Sequence, residues 1–203
     1  MHNAVRKLHV GAGQAWLPGW LNSDYSPFNR EVIYLDATER LPFPDASFHY
    51  VFSEHMLEHI PYAKGEFFLA ECKRILCPGG KVRVSTPNLA RFASMYCSPE
   101  RQEHKQYIEW ALRLNSLPQR ARHECFVLNN FVRSWGHQFI YDEETLKALL
   151  ESLGFCEVTE VSLGQSTSAH LAGLERHGEA IGEQYNRFET MILEATKPLR
   201  SLD

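Results

Sequence analysis

The residues best suited to chemistry stand within the first sixty positions. Gly11-Ala12-Gly13 follows a short apolar run, and Asp24 and Asp36 each close a β-compatible run, Trp20 to Asp24 and Val32 to Asp36. A glycine turn after a first strand lets backbone N–H groups approach a ligand, and an acid at the end of the next strand can accept from both hydroxyls of a ribose. The set points to a nucleoside. The third glycine of a dinucleotide fingerprint is missing, since position 16 is Trp16, and Asp24 follows Gly13 by 11 residues, short of the ~20 that such a fold uses. NAD is therefore disfavoured. No G-x-x-x-x-G-K-[ST] occurs either, which excludes a P-loop for ATP or GTP.

A second constellation follows. His55-Met-Leu-Glu58-His59 spells H-x-x-E-H, the inverted zincin pattern in which two histidines one helical turn apart hold zinc and the glutamate activates water. This supports an alternative reading as a zinc metallohydrolase. Pro61 limits any helix carrying both histidines and no downstream motif supplies a third ligand, so no metal is expected. His55, His59 and Glu54, with His137 and Tyr141 from further along the chain, are candidate bases. Arg113, Arg120, Arg122 and Arg133 lie among Phe126, Phe131 and Trp135 and suit a sugar-like or anionic group, although a solvated helix face explains them more simply. Leu174-Glu-Arg-His177 is a further polar cluster that could close a pocket.

The elements that must position these residues alternate. Strands are expected at Arg6 to Val10, Trp20 to Asp24, Val32 to Asp36, Phe48 to Ser53 and Lys81 to Asn88, with two closing strands at Phe155 to Val161 and Met191 to Thr196. A helix over Ala63 to Leu76 places Phe68, Cys72, Ile75 and Leu76 on one face and should stop at Pro78-Gly79-Gly80. A second, capped by Asp142, repeats Leu146, Leu149, Leu150 and Leu153 and ends at Gly154. Residues 89–135 are too long for a simple connection and read as an inserted helical cap over the acceptor site. Strands and helices in alternation imply a doubly wound, mostly parallel sheet, with ligands at the carboxyl ends of its strands.

The chain of 203 residues is 44% hydrophobic and 23% charged, as expected for one globular domain spanning residues 1–203. No run approaches the ~18 apolar residues of a membrane span, and the first residues carry no signal-peptide pattern. A cytoplasmic location is expected. Five cysteines form an odd set with no C-x-x-C pair, which suggests neither a disulfide framework nor a thiolate zinc site. The net charge of -4 argues against an obligatory nucleic-acid partner.

Six segments together carry a resemblance: Leu8-His-Val-Gly-Ala-Gly, Leu21-Asn-Ser-Asp24-Tyr, Leu35-Asp36-Ala, Leu41-Pro-Phe-Pro-Asp-Ala-Ser-Phe, Ser53-Glu-His-Met-Leu-Glu-His and Arg74-Ile-Leu-Cys-Pro-Gly-Gly-Lys. Over about residues 8 to 88 the chain resembles the type 11 class I S-adenosylmethionine-dependent methyltransferases, and Gly136-His-Gln-Phe-Ile-Tyr-Asp resembles the same family's closing half. The resemblance implies a Rossmann-like, seven-stranded sheet with one antiparallel strand near its end. It also implies S-adenosylmethionine as cofactor and methyl transfer to a small-molecule or sugar-like acceptor. By resemblance, Gly11, Ala12 and Gly13 line the methionine part, Asp24 with Tyr25 holds the ribose, Asp36 with Ala37 faces the adenine, and Ser53, Glu54 and His55 lie beside the sulfonium. Two positions depart from the pattern. His9 replaces the usual acid two residues before the first glycine. The interval from Gly13 to Gly19 is too short for a first crossover helix, so Trp16, Leu17 or Trp20 is expected to cover the cofactor. The substitution at His9 also permits a third reading, a non-catalytic cofactor-binding regulator.

Overall fold

The computed structural model describes residues 5–116 and 123–199. Seven strands form one sheet: β1 (Lys7–Val10), β2 (Leu21–Asp24), β3 (Val32–Tyr34), β4 (Phe48–Glu54), β5 (Leu76–Pro87), β6 (Cys156–Glu160) and β7 (Thr190–Thr196). Their order is β3-β2-β1-β4-β5-β7-β6. β7 runs antiparallel to both its neighbours, and the other pairings are parallel. The strand order turns back at β1, where the chain goes first outward to β2 and β3 and then across to β4. Such a switch point opens a crevice at the carboxyl ends of the strands.

The two faces of the sheet are built differently. One register row joins Leu8, Val51, Val82 and Ala195. All four are buried in an apolar core with helix α1 (Tyr62–Ile75) and helix α5 (Glu143–Ser152). Helix α1 presents Phe68, Leu69, Cys72 and Ile75 at helical spacing. Helix α5 starts where the Asp142 carboxylate accepts from the Thr145 N–H at 2.8 Å, and it buries Leu146, Leu149 and Leu150. The row one residue further along faces the other way: Asn22, His9, Phe52, Arg83, Glu194 and Thr159. Among the described residues no helix covers that face in place of the first crossover. Leu17 and Trp20 of the β1–β2 loop and Leu171 and Leu174 pack there on Phe52.

Polar bonds hold this second cover. Arg83 is fully buried. Its Nε donates to Glu175 at 2.6 Å, while its Nη1 donates to Glu194 at 2.5 Å and to the Gln165 carbonyl at 2.9 Å. His9 Nδ1 is 3.0 Å from Asn22 Oδ1, whose amide nitrogen donates to the carbonyls of Leu17 and Trp20. The Asn22 oxygen can only accept, so His9 Nδ1 carries the hydrogen and Nε2 is left buried without a partner. Burial holds the His9 imidazole down to about 4.

Three helices, α2 (Leu89–Cys97), α3 (Gln102–Leu114) and α4 (Glu124–Arg133), lie within residues 89–135. They share a core of Phe92, Tyr107, Val127 and Phe131. Between β6 and β7 the chain forms α6 (His177–Ile181) and α7 (Glu183–Glu189), two helices that the expected elements do not include, and Tyr185 and Phe188 of α7 join that core. Helix α1 ends at Ile75 and passes directly into β5, so Pro78-Gly79-Gly80 is an irregular part of the strand rather than the helix stop. Arg120 and Arg122 lie outside the described residues. No helix among the described residues is long and apolar enough to cross a membrane.

Candidate active site

The carboxyl ends of β1, β2 and β4 open onto a cleft of about 600 Å³ lined by Gly11, Gly13, Asp24, Tyr25, Asp36, Ala37 and His55, with Thr38, Met56, His59 and Gln138 beside them. Gly11 has φ +75°, and a Cβ there would come within 2.6 Å of the Met56 side chain. Both its conformation and its neighbour therefore require glycine. The Gly13 N–H donates to Asp24 Oδ2 at 2.8 Å, and Ser26 N–H donates to Oδ1 at 2.7 Å. Asp24 thus ties the glycine turn to the end of β2 and keeps free lone pairs towards the cleft. Asp36 is held by the Thr38 N–H and hydroxyl on one oxygen, Oδ1.

Three expected cofactor neighbours lie elsewhere. Ala12 is buried in the turn, Ser53 is buried within β4, and neither lines the cleft. Glu54 turns away: its carboxylate accepts the backbone N–H groups of Arg176 at 2.9 Å and His177 at 3.0 Å. Burial raises the Glu54 carboxyl above its ordinary range, partly offset by those bonds. Leu17 and Trp20 pack on the opposite face and Trp16 does not line the cleft, so the β1–β2 loop is spent on covering the sheet.

A second cavity of about 330 Å³ adjoins the first and shares His55 and His59 with it. Glu58, His137, His177 and Glu189 give it polar groups, and Tyr107, Trp110, Phe131 and Trp135 give it aromatic walls. His177 Nε2 bonds Glu189 Oε1 at 3.0 Å, and Tyr107 donates to the other oxygen of Glu189. The His177 ring stacks on His55 with centroids 3.8 Å apart. His55 sits at φ +46°, strained for a non-glycine residue. Its Nε2 bonds Thr190 Oγ1 at 2.9 Å, and that hydroxyl donates to Asn186. Its Nδ1 lies 3.2 Å from Glu58 Oε1. Burial alone would lower the His55 imidazole, but Glu58, Glu189 and Glu54 outweigh it and raise the group above its usual value. Burial likewise pushes Glu58 up, and His55 and His59 outweigh it and hold the carboxyl low.

The helix that would support the inverted zincin reading does not form. His55 precedes a single 3₁₀ turn, Leu57–His59, and Pro61 starts α1, so His55 and His59 do not ride one helical turn apart on a common face. Tyr141 is fully buried against the core and lines neither cavity. Arg113 and Arg133 are exposed and also line neither. His177 meets the pocket, whereas Glu175 of the same cluster is committed to Arg83. Glu189, Tyr107 and Trp110 were not singled out by the sequence. Tyr107 meets Glu189 across 82 residues, Glu189 meets His177 across 12, and Trp110 stacks on Tyr185, so no helical or strand spacing marks them.

Residues 8–84, from β1 into β5, match the family model described as a methyltransferase domain, type 11. In fold the chain is similar to an S-adenosylmethionine-dependent methyltransferase from Archaeoglobus fulgidus, at 19% identity over 96% of this chain and 87% of that one, with a TM-score of 0.55. A similar likeness joins it to an S-adenosylmethionine-dependent methyltransferase from Thermotoga maritima: 17% identity, 96% and 83% coverage, TM-score 0.53. No curated protein matches the chain in sequence. The matched segment carries the glycine turn and both aspartates, and the likeness to these S-adenosylmethionine-dependent methyltransferases is one of fold. The cleft fits that cofactor on its own terms. It has the volume of a small-ligand site, a glycine at position 11 where Met56 leaves no room for a side chain, and a carboxylate at the end of each of two adjacent strands.

Proposed function

We propose that the chain transfers a methyl group to a small-molecule acceptor, sugar-like or otherwise hydroxylated, held in the second cavity. The observation that carries this reading is the shared wall: His55 and His59 line both the nucleoside-sized cleft and the aromatic cavity. Bound in the first, S-adenosylmethionine supplies an electrophilic methyl on a sulfonium. Asp24 would accept from the ribose hydroxyls, with Tyr25 beside them, and Gly11 to Gly13 would leave room for the methionine part. Asp36, Ala37 and Thr38 would meet the adenine edge, with Leu35 and Ile60 as its apolar bed.

Trp110, Phe131 and Trp135 suit the face of a ring. Among His55, His59 and His137, His55 already has both ring nitrogens engaged, by Glu58 and Thr190. It would serve to position rather than to take a proton. His177, held through Nε2 by Glu189, has the arrangement of a base fixed by an acid and would receive the proton of a hydroxyl acceptor. Glu54 positions it by binding the backbone at residues 176 and 177. Replacing Asp24 by Ala should weaken S-adenosylhomocysteine binding by about 10- to 100-fold, the worth of lost hydrogen bonds to a charged group, measured by titration calorimetry with the fold checked by circular dichroism. Unchanged affinity in a folded variant would overturn the assignment.

A further inference from the structure

Among the described residues two groups bring three metal-type ligand atoms within 4.8 Å of one another: His55, His177 and Glu189, and Glu58, His59 and His137. Both border the second cavity. They differ in where their hydrogens are. In the first group His55 Nε2 faces a threonine hydroxyl whose own proton goes to Asn186, so that nitrogen carries hydrogen, and His177 already bonds Glu189. That group is a closed hydrogen-bond network.

In the second group the lone pairs are open. His137 Nδ1 lies 2.6 Å from the Phe131 carbonyl, which can only accept, so Nδ1 carries the hydrogen and Nε2 presents a lone pair. A ligand histidine is oriented in the same way, by donating its other N–H to a carbonyl. Glu58 is fully buried; its Oε2 accepts from Thr86 at 3.1 Å, and its Oε1, 3.2 Å from His55 Nδ1, keeps a second lone pair. His59 Nε2 stands 3.9 Å from that oxygen, too far for a hydrogen bond. The segment bearing His137 is clamped to the turn bearing the other two: Gln138 donates its backbone N–H to the Glu58 carbonyl and its side-chain amide to the His59 carbonyl, both at 2.8 Å. His55 on one side of the Glu58 carboxylate holds it as an outer partner holds a metal ligand, and His59 and His137 on the other side complete a donor set.

We propose that Glu58, His59 and His137 bind a divalent transition cation at the wall between the two cavities, with an open position towards the second. Two imidazoles and one carboxylate favour zinc, cobalt, iron or manganese over magnesium or calcium. Three protein ligands leave a position for an exogenous oxygen. The ligand class is an oxygen donor, a hydroxyl or carboxylate of the acceptor, which the cation would orient and, for a hydroxyl, acidify. That acceptor role rests on the methyltransferase reading; cation binding does not. The turn that prevents a zincin helix is also what allows the site, because it separates His59 from His55 and lets His137 complete the set.

The test uses the whole chain, stripped with chelator and titrated with cobalt chloride, followed by visible absorption. One equivalent should bind saturably with the ligand-field bands of a nitrogen and oxygen set and without thiolate charge transfer. His137→Gln and Glu58→Gln should each weaken it at least about tenfold, and His177→Gln should not. Because Glu58 is buried and its variant could misfold, His137→Gln decides. Equilibrium dialysis with S-adenosylhomocysteine runs alongside. Cobalt binding without cofactor binding would sink the methyltransferase reading and support the cation site. Absence of saturable binding, a thiolate spectrum, or sensitivity to His177→Gln in place of His137→Gln would each overturn the site.

Discussion

The two faces of the sheet solve the same covering problem with different chemistry. Behind Leu8, Val51, Val82 and Ala195, two amphipathic helices bury hydrocarbon, and each contact is replaceable by one of similar volume. Behind His9, Phe52, Arg83 and Glu194, loops do the covering and polar groups hold them in register. A loop has few apolar side chains to spend, so its place depends on directional bonds. The first cover tolerates approximation. The second is all or nothing, because a buried polar group that loses its partner costs more than the bond contributed.

This contrast can be broken most sharply at Arg83. Arg83→Met leaves Glu175 and Glu194 buried without their cation and should cost about 3–5 kcal/mol in urea unfolding, whereas adding Glu175→Leu and Glu194→Leu should recover most of it. If the single and triple variants are equally unstable, the network is not what holds the loop. His9 gives a pH-dependent version. Its folded value, about 4, lies below the unfolded 6.5, so between these values the unfolded chain binds a proton that the native state refuses. Stability is therefore lost as pH falls from 6.5 towards 4, by up to about 3 kcal/mol. His9→Gln should remove that slope, and parallel slopes in the two proteins would refute the assignment. On the helical face the smallest effect is expected. Asp142→Ala should cost about 1 kcal/mol through one lost cap, with the same value at pH 5 and pH 7.5 by thermal unfolding.

The same division governs what the sequence makes legible. Leu146, Leu149 and Leu150 announce α5 because a helix repeats within four residues, and Asp142 announces its start for the same reason. Gly11, Gly13, Asp24 and Asp36 are legible because adjacent parallel strands carry their ends to one edge. Arg83 reads as one more polar position in an alternating strand, since its partners come 92 and 111 residues later. His177 and Glu189 meet His55 across similar distances, and α7 hides its apolar residues in a short, mostly polar segment. The H-x-x-E-H spacing misleads because spacing alone assumes a helix, and His55 at positive φ starts a turn.

The position of β7 has a consequence for how the molecule is made. β7 follows β6 in the chain yet lies between β5 and β6, and the residues leading into it, His177 to Glu189, form one side of the aromatic cavity. As the chain emerges during synthesis, the glycine turn and both aspartates can assemble early from neighbouring segments. The second cavity must wait until β7 has paired with β5 and brought β6 to the edge of the sheet. Contacts this distant in sequence form slowly, so a nascent chain would hold its glycine-lined cleft before the aromatic cavity had its second side.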